Sequence, residues 1–346
     1  MFHGIINVYK EKGYTSHDVV AKMRGILKMK KIGHTGTLDP DAEGVLPVCL
    51  GKATKVVDLI TDKDKTYEAV LKLGIVTDTQ DITGRIISKR EVTSSREEIE
   101  AVIKSFIGTY QQLPPMYSAI KINGKRLYEL ARQGKEIERQ TREVHIYQIS
   151  ILEYNEHVIE PEHGNAHEQG NDHEQGNDRE YGNDHEQGNA HKHSNEPQHD
   201  NNHAYEIRMR VECGKGTYIR TLLHDIGEKL GCGGCMKSLE RTAVGGFRKE
   251  EALTLTEIEA LVQSGRIEQN IIPVDQMFDG YSACIVDREY HKFIYNGNSF
   301  AKDQLAQDMT VADQDKVRVY DADHTFIGIY QYDSQRECFK PVKMFL

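Results

Sequence analysis

Residues Lys31 to Gly51 read KIGHTGTLDPDAEGVLPVCLG, the densest run of unusual residues in the chain. Its glycines permit an irregular loop, because glycine adopts backbone angles closed to other residues. The stretch lacks the Gly-Lys-Ser/Thr ending of a phosphate loop. Counted as a calcium loop from Asp39, Gly44 falls at the sixth place. The twelfth place is Leu50, where a bidentate glutamate is required, so that reading fails. What remains is a loop that presents His34 and Asp39. Pro40 biases Asp39 towards extended geometry. A carboxylate held this way can serve as a nucleophile or a base. It can equally bond nearby amides in an Asx-type turn. Local sequence leaves both open.

Outward from this loop the chain alternates between two periods. Tyr67, Ala69, Leu71 and Leu73 recur at period two, as do Tyr205, Ile207, Met209, Val211 and Cys213, and Val144 to Leu152 is rich in β-branched residues. These runs predict strands. Helices are expected after Ser16 (Val19, Val20, Met23, Ile26 and Leu27 on one stripe), after the capping box Ser95-x-x-Glu98, with Gly108 ending that run, and after Thr254-x-x-Glu257. Without a regular βαβ repeat, an α+β fold is expected. Short strand-like runs at 317–320, 326–332 and 339–345 suggest a small β-rich C-terminal module from about residue 280.

Between two of the expected strands, residues 155–203 hold twelve acidic side chains against Arg179 and Lys192, and nine of the chain's sixteen histidines. Hexads run in series from His167 (HEQGND, HEQGND, REYGND, HEQGNA). The segment has too few aliphatic residues to offset the entropy of ordering it, so a disordered acidic loop is expected. A tolerated repeat expansion is the plain reading, and weak metal binding by the spaced imidazoles is the alternative. The segment accounts for the whole formal charge of −10; the remainder of the chain is neutral. Positive surface must therefore be sought locally. It concentrates in residues 1–34 (net +5), 118–142 (net +4) and 204–249 (net +4). These segments flank the unusual motifs as a phosphate-gripping rim would.

No run of eighteen apolar residues occurs, so no membrane helix is expected, and the N-terminus lacks a basic start followed by an apolar stretch. Six scattered cysteines point to a cytoplasmic protein with reduced thiols. Cys232-Gly233-Gly234-Cys235, a CxxC without a second pair, reads first as two small buried residues beside a helix end, with zinc as the weaker alternative.

The Lys31–Gly51 stretch, continued through Lys52-Ala53-Thr54-Lys55, resembles the signature of the TruB family, the bacterial tRNA pseudouridine-55 synthases. Lys65-Thr66-Tyr67-Glu68-Ala69 is similar to the family's KxYxA strand, and Asp78-Thr79-Gln80-Asp81-Ile82-Thr83-Gly84 to its DTxDxxG turn. QLPPMYSAIK from Gln112 and RLYELARQG from Arg126 resemble its next two blocks. Lys215-Gly216-Thr217-Tyr218-Ile219-Arg220-Thr221-Leu222 resembles KGTYIRTL, and LERTAVGGF from Leu239 resembles LxRTxxGxF. The blocks keep the family's order over about residues 1–250. The tail is similar to a PUA-like RNA-binding module. The acidic segment and the CxxC depart from the pattern.

The resemblance implies a pseudouridine synthase fold: a mixed, largely antiparallel central sheet flanked by helices. Residues 1–275 would form the catalytic domain and 280–346 the PUA-like module. It implies a tRNA pseudouridine synthase that flips the T-loop uridine into a pocket and isomerises it, with tRNA as partner through its T-arm. Neither cofactor nor metal is expected, because the reaction needs no redox change or group donor; neither is an obligate protein partner, so a monomer is expected. Asp39 carries over as the catalytic aspartate, attacking sugar or base or taking a sugar proton. Tyr67 would receive the base, as an aromatic face suits a flipped nucleotide. Tyr218 would line the same pocket, Arg220 would pair with Asp39 and keep it ionised, and Leu239 would pack on the base. His34 would contact the flipped nucleotide, and Asp81 would stand behind these groups. The alternative is an RNA-binding or tRNA-folding protein that uses the same surface with little catalysis. A metal-sequestering protein acting through the histidine-rich segment is a third reading.

Overall fold

Along Lys65–Leu73 every second side chain is buried, so this strand has one face for a core and one for solvent. It is hydrogen-bonded on both sides, to Gly234–Val244 and to His203–Cys213, antiparallel in each case. In the computed structural model, which describes residues 1–118, 120–122, 124–135, 137–158 and 203–346, the central sheet is built outward from it. Its order is Gly4–Lys10, Glu43–Leu50, Gly234–Val244, Lys65–Leu73, His203–Cys213, Arg142–Val158, Gly108–Gln112. All these pairs are antiparallel except Glu43–Leu50 with Gly234–Val244. The fold is thus the expected mixed, largely antiparallel α+β arrangement.

The strand Glu43–Leu50 is buried along nearly its whole length, as its continuous apolar run requires. Gly44 sits where it meets Gly234–Val244. Its φ is +108°, and a Cβ there would lie 2.2 Å from the Arg241 carbonyl oxygen, so only glycine allows the approach. A second close approach sets the helix Ile219–Lys229 onto the sheet. A Cβ at Gly227 would lie 2.2 Å from the Gly234 nitrogen. The small residues of 231–235 serve this crossing, and Cys232 and Cys235 are buried free thiols within it. Five of the six cysteines are buried and Cys338 is half-buried.

The helix Ser16–Leu27 starts one residue earlier than expected in its cap. Thr15, not Ser16, is the N-cap, and it forms a capping box with Asp18. Ser16 is buried, and its Oγ accepts from the Leu38 backbone N–H at 2.9 Å. The boxes at Ser95 and Thr254 form as read. The helix Arg96–Lys104 ends before Phe106, and Gly108 at φ +106° opens an edge strand instead of closing the helix.

The hairpin of Arg142–Val158 with His203–Cys213 is longer than the expected loop boundary allowed. Residues 155–158 and 203 belong to the ladder, with Asn155 opposite Glu206 and Val158 opposite His203. Residues 159–202, with the hexads and the metal reading attached to them, lie outside the described residues. The C-terminal strands form a separate five-stranded sheet, in the order Ser282–Ile285, Lys316–Tyr320, Phe326–Asp333, Cys338–Met344, Phe300–Ala301. Ile329 of this sheet and Phe345, just past its strand Cys338–Met344, share an apolar cluster with Ile5, Val45, Val244 and Phe247 of the central sheet.

Candidate active site

Asp39 is fixed from behind. Leu38 is held by Ser16, and the Ala42 N–H donates to the Asp39 carbonyl at 3.1 Å. Beneath the same turn lies Lys10, with no solvent exposure. Its ammonium donates to the carbonyls of Glu11 (3.1 Å), Pro40 (3.2 Å) and Ala42 (2.5 Å). Burial pushes Lys10 down to about 8, against the pull of Asp39, Asp41 and Glu43.

The Asp39 carboxylate bonds to Arg220 rather than capping local amides. Arg220 Nε lies 2.9 Å from Oδ2, and Nη2 donates to Oδ1 at 3.3 Å. This two-point geometry is the strong form of an arginine–carboxylate pair. The guanidinium is otherwise committed to the carbonyls of Thr79 (3.0 Å) and Tyr117 (2.7 Å), with Asp81 Oδ2 at 3.6 Å. Its side chain is 6% exposed, while that of Asp39 keeps 39%. Asp39 is crowded by protein on most sides yet still reachable. Burial raises its carboxyl above the ordinary value; Arg220 opposes the rise, and the Asp81 charge adds to it. The expectation that Arg220 keeps Asp39 ionised therefore captures the pull of the ion pair only. Desolvation outweighs that pull.

Asp81 is anchored by its own turn: its Oδ1 accepts from Thr79 Oγ1 (2.8 Å), Thr83 Oγ1 (2.6 Å) and the Thr83 N–H (3.1 Å). Tyr67 and Leu239 are each 7% exposed and belong with Leu38 to one apolar cluster. Leu239 stands opposite Ala69, and Arg241 opposite Tyr67, across the ladder. Burial pushes the Tyr67 phenol up to about 12, with the Arg241 guanidinium opposing, so the ring is neutral at pH 7. Tyr218 is half-buried at the start of the helix that carries Arg220. Burial is also the main cause raising its phenol, and the charges of Arg142, Arg220 and Asp39 reach it.

His34 ends the short strand Ile32–His34 and joins this group through Arg241. Its ring meets His17 edge-on at 5.2 Å, and Nδ1 is buried with no hydrogen-bond partner among the described residues. Burial lowers its pKa, and the charges of His17 and Arg241 lower it further. The imidazole is neutral at pH 7.

Asp39, Arg220 and Asp81 are joined by ion pairs, the Asp39 charge reaches Tyr67 and Tyr218, Leu239 shares the apolar cluster of Tyr67, and His34 is linked through Arg241; three further residues brace these groups. Arg241, 1% exposed, donates from Nε to Val45 O (2.8 Å) and from Nη2 to Gly36 O (3.3 Å). Gln112, 1% exposed, brackets Tyr218. Lys10 is the third; its period-two relation to the buried Ile6 and Val8 is a sequence signal for its burial. Arg241 and Gln112 stand inside recognisable blocks but carry no local sign of what they touch.

The expected basic rim narrows. In 204–249, Arg220 and Arg241 are buried, Arg208 and Arg210 both pair with Glu68, Lys237 with Glu206, Lys249 with Glu240 and Lys215 with Asp62. These pairs reduce the positive charge of that face without cancelling it, since Glu68 is shared by two arginines and Glu206 by Lys237 and Lys72. In the first segment Lys10 is buried, but Lys22, Arg24, Lys28, Lys30 and Lys31 are exposed. As for metals, His291, Asp321 and Asp323 cluster in the C-terminal sheet. His291 Nε2 already accepts from the Ala322 N–H, Asp321 accepts from Tyr295 and Thr325, and Asp323 pairs with Arg288. This is the bonding of a braced turn.

The chain matches two family models. One, described as TruB family pseudouridylate synthase (N terminal domain), covers residues 24–166; the other, tRNA pseudouridylate synthase B C-terminal domain, covers 220–279. Over 347 aligned residues it is 51% identical to the tRNA pseudouridine synthase B of Lachnoclostridium phytofermentans, spanning 99% of this chain and 100% of that one. The proteins of the same name from Clostridium acetobutylicum and Bacillus cytotoxicus are 38% and 37% identical, over 99% of this chain and 99% and 96% of theirs. Among solved structures, a Cbf5–Nop10–Gar1 complex matches at 25% identity and a TM-score of 0.62, over 99% of this chain and 85% of that one. An H/ACA RNP bound to a substrate RNA containing 2′-deoxyuridine matches at 23% identity and a TM-score of 0.61, with the same coverage.

Proposed function

The chain belongs to the TruB family of pseudouridylate synthases, and from that membership we propose that the Asp39–Arg220 pair is its catalytic centre. The protein is an isomerase that converts a uridine of tRNA, the T-loop uridine at position 55, to pseudouridine. In that reaction the bond from N1 to C1′ breaks, the base turns, and C5 bonds to the same C1′. C5 loses its proton and N1 gains one, so no redox partner or group donor enters.

The observation that carries the assignment is a reachable carboxylate gripped at two points by a buried guanidinium, with its charge reaching Tyr67 and Tyr218. Asp39 acts on the nucleoside, by attack on sugar or base or by removal of a sugar proton. Arg220 orients it and sustains its charge as the site loses water. Tyr67 receives the flipped base on its ring, and Leu239 packs beside it. Tyr218 lines the pocket, and His34, with a neutral ring, meets the displaced nucleotide. Asp81 secures the far side of Arg220. The exposed lysines of 22–31 grip tRNA phosphates. The enzyme works in the cytoplasm as a monomer, with no obligate protein partner; among the described residues, no helix is long and apolar enough to cross a membrane.

The test is incubation of the purified protein with an unmodified tRNA transcript, followed by mapping of pseudouridine. Product is expected at the T-loop uridine, and Asp39→Asn is expected to bind tRNA but form none. Turnover by Asp39→Asn equal to that of the parent would remove Asp39 from its role. The reading as a tRNA-folding protein rests on the same surface; a pure binder, however, has no use for a reachable carboxylate paired with a buried arginine.

A further inference from the structure

The helix Ile219–Lys229 begins at Tyr218 with no side-chain cap. Its first turn holds Arg220, so the site depends on a helix end that its own sequence leaves unsecured. Serine, threonine, aspartate or asparagine normally secures such an end. Here the edge strand Gly108–Gln112 fixes the N-cap residue itself. Gln112 Oε1 accepts from the Tyr218 N–H at 2.8 Å, and Gln112 Nε2 donates to the Tyr218 carbonyl at 3.0 Å. That carbonyl also takes the first helical bond, from the Leu222 N–H at 3.0 Å. The second N–H of the Gln112 amide is directed at Tyr110 Oη. Tyr110 stands two residues back on the same strand face, its ring edge-on to Phe106 at 5.3 Å. The carboxamide is therefore fully occupied, oriented and 1% exposed.

We propose that Gln112 is a positioning residue for the isomerisation: its carboxamide clamps both backbone groups of Tyr218 and so sets where Tyr218 and Arg220 meet Asp39 and the uridine. The inference rests on the assignment of Tyr218 and Arg220 to the site. Gln112 touches neither substrate nor Asp39. Its effect passes through the helix end, where an error of about 1 Å at a catalytic group can cost about 100-fold in rate.

The test uses the full-length enzyme on an unmodified tRNA transcript, with kcat, KM and melting temperature measured for each variant. Gln112→Met keeps the volume and loses both bonds. Its kcat is expected to fall about 10- to 100-fold, the scale of losing buried hydrogen bonds that position a reacting group. Its KM should change far less. Gln112→Glu adds a readout that a merely structural role would not move. Its protonated carboxyl can donate to the Tyr218 carbonyl and accept from the Tyr218 N–H, as the amide does; its ionised form can only accept. The ratio of its kcat to that of the parent should therefore rise as pH falls from about 8 to about 6. The groups facing the introduced carboxyl are Tyr110 on its strand, Arg142 opposite in the ladder, Tyr218, and Asp225 with His224 beyond Tyr110. Parent-like kcat in a folded Gln112→Met, or a ratio that stays flat with pH, overturns the proposal. Tyr218→Ala and Arg220→Lys are run alongside. Parent-like turnover in both would instead overturn the assignment of the site, a separate failure.

Discussion

At Asp39 two influences oppose each other: loss of water raises the carboxyl and Arg220 pulls it down. The folded state therefore holds the Asp39 proton to a higher pH than the unfolded chain does. Between the ordinary value of 3.8 and that raised value the folded state binds more protons, so this group's contribution to stability falls as pH rises. If the ionised carboxylate is the working form, the acid limb of kcat/KM lies above 3.8, and Arg220→Gln should move that limb further up. A pH–rate profile of parent and variant checks both; an unshifted limb would mean that the ion pair does not govern the titration. Arg220→Gln should also lower stability, by less than the loss of a fully buried pair, because Asp39 keeps contact with water. Asp39 and Arg220 were legible in the sequence because each stands in a short block of distinctive spacing. Arg241 was not. Counted along the chain it is one more basic residue of a positive segment, and only the crossing of two strands buries it between Gly36 and Tyr67.

Elements were legible where their signal is local. The capping boxes at Ser95 and Thr254 and the alternation of Lys65–Leu73 are such signals. Those set by tertiary approach were not. Gly108 looks like a helix stop but opens a strand, because its partner is Ile146 of the long hairpin. The glycines of the Ile219–Lys229 crossing belong to the same class. Gly227→Ala places a methyl carbon against the Gly234 backbone, so the helix must lift from the sheet. A loss of about 1–3 kcal/mol or more is expected from such overpacking. Denaturant unfolding would measure it, and a parent-like midpoint would show that the helix shifts freely. Because Arg220 rides on this helix, kcat should fall as well.

Across the whole molecule, charge is distributed unevenly. Residues 159–202 carry a formal charge of −9, while on the sheet face Arg208 and Arg210 share the one carboxylate of Glu68. Exposed positive charge stands on residues 22–31, and Arg132, Lys135 and Arg142 of the second basic segment are exposed as well. Affinity for tRNA should fall steeply with added salt as counterions are released from the contacted phosphates. A binding constant independent of salt would contradict phosphate gripping. Joining Val158 to His203 through a short turn in place of 159–202 should leave isomerisation nearly intact, because the paired strands continue to those two residues. A collapse of turnover in that variant would oppose this view.

The interior thiols give the molecule a built-in reporter of its own integrity. Burial pushes Cys49, Cys213 and Cys284 up to about 12 and Cys235 to about 11. An alkylating reagent consumes thiolate, not thiol. In the native enzyme these sulfurs are both shielded and protonated, and each becomes reactive only when its own layer comes apart. Cys284 belongs to the C-terminal sheet and the other three to the central sheet. The order in which the four are labelled under mild denaturant therefore tells which of the two sheets lets go first.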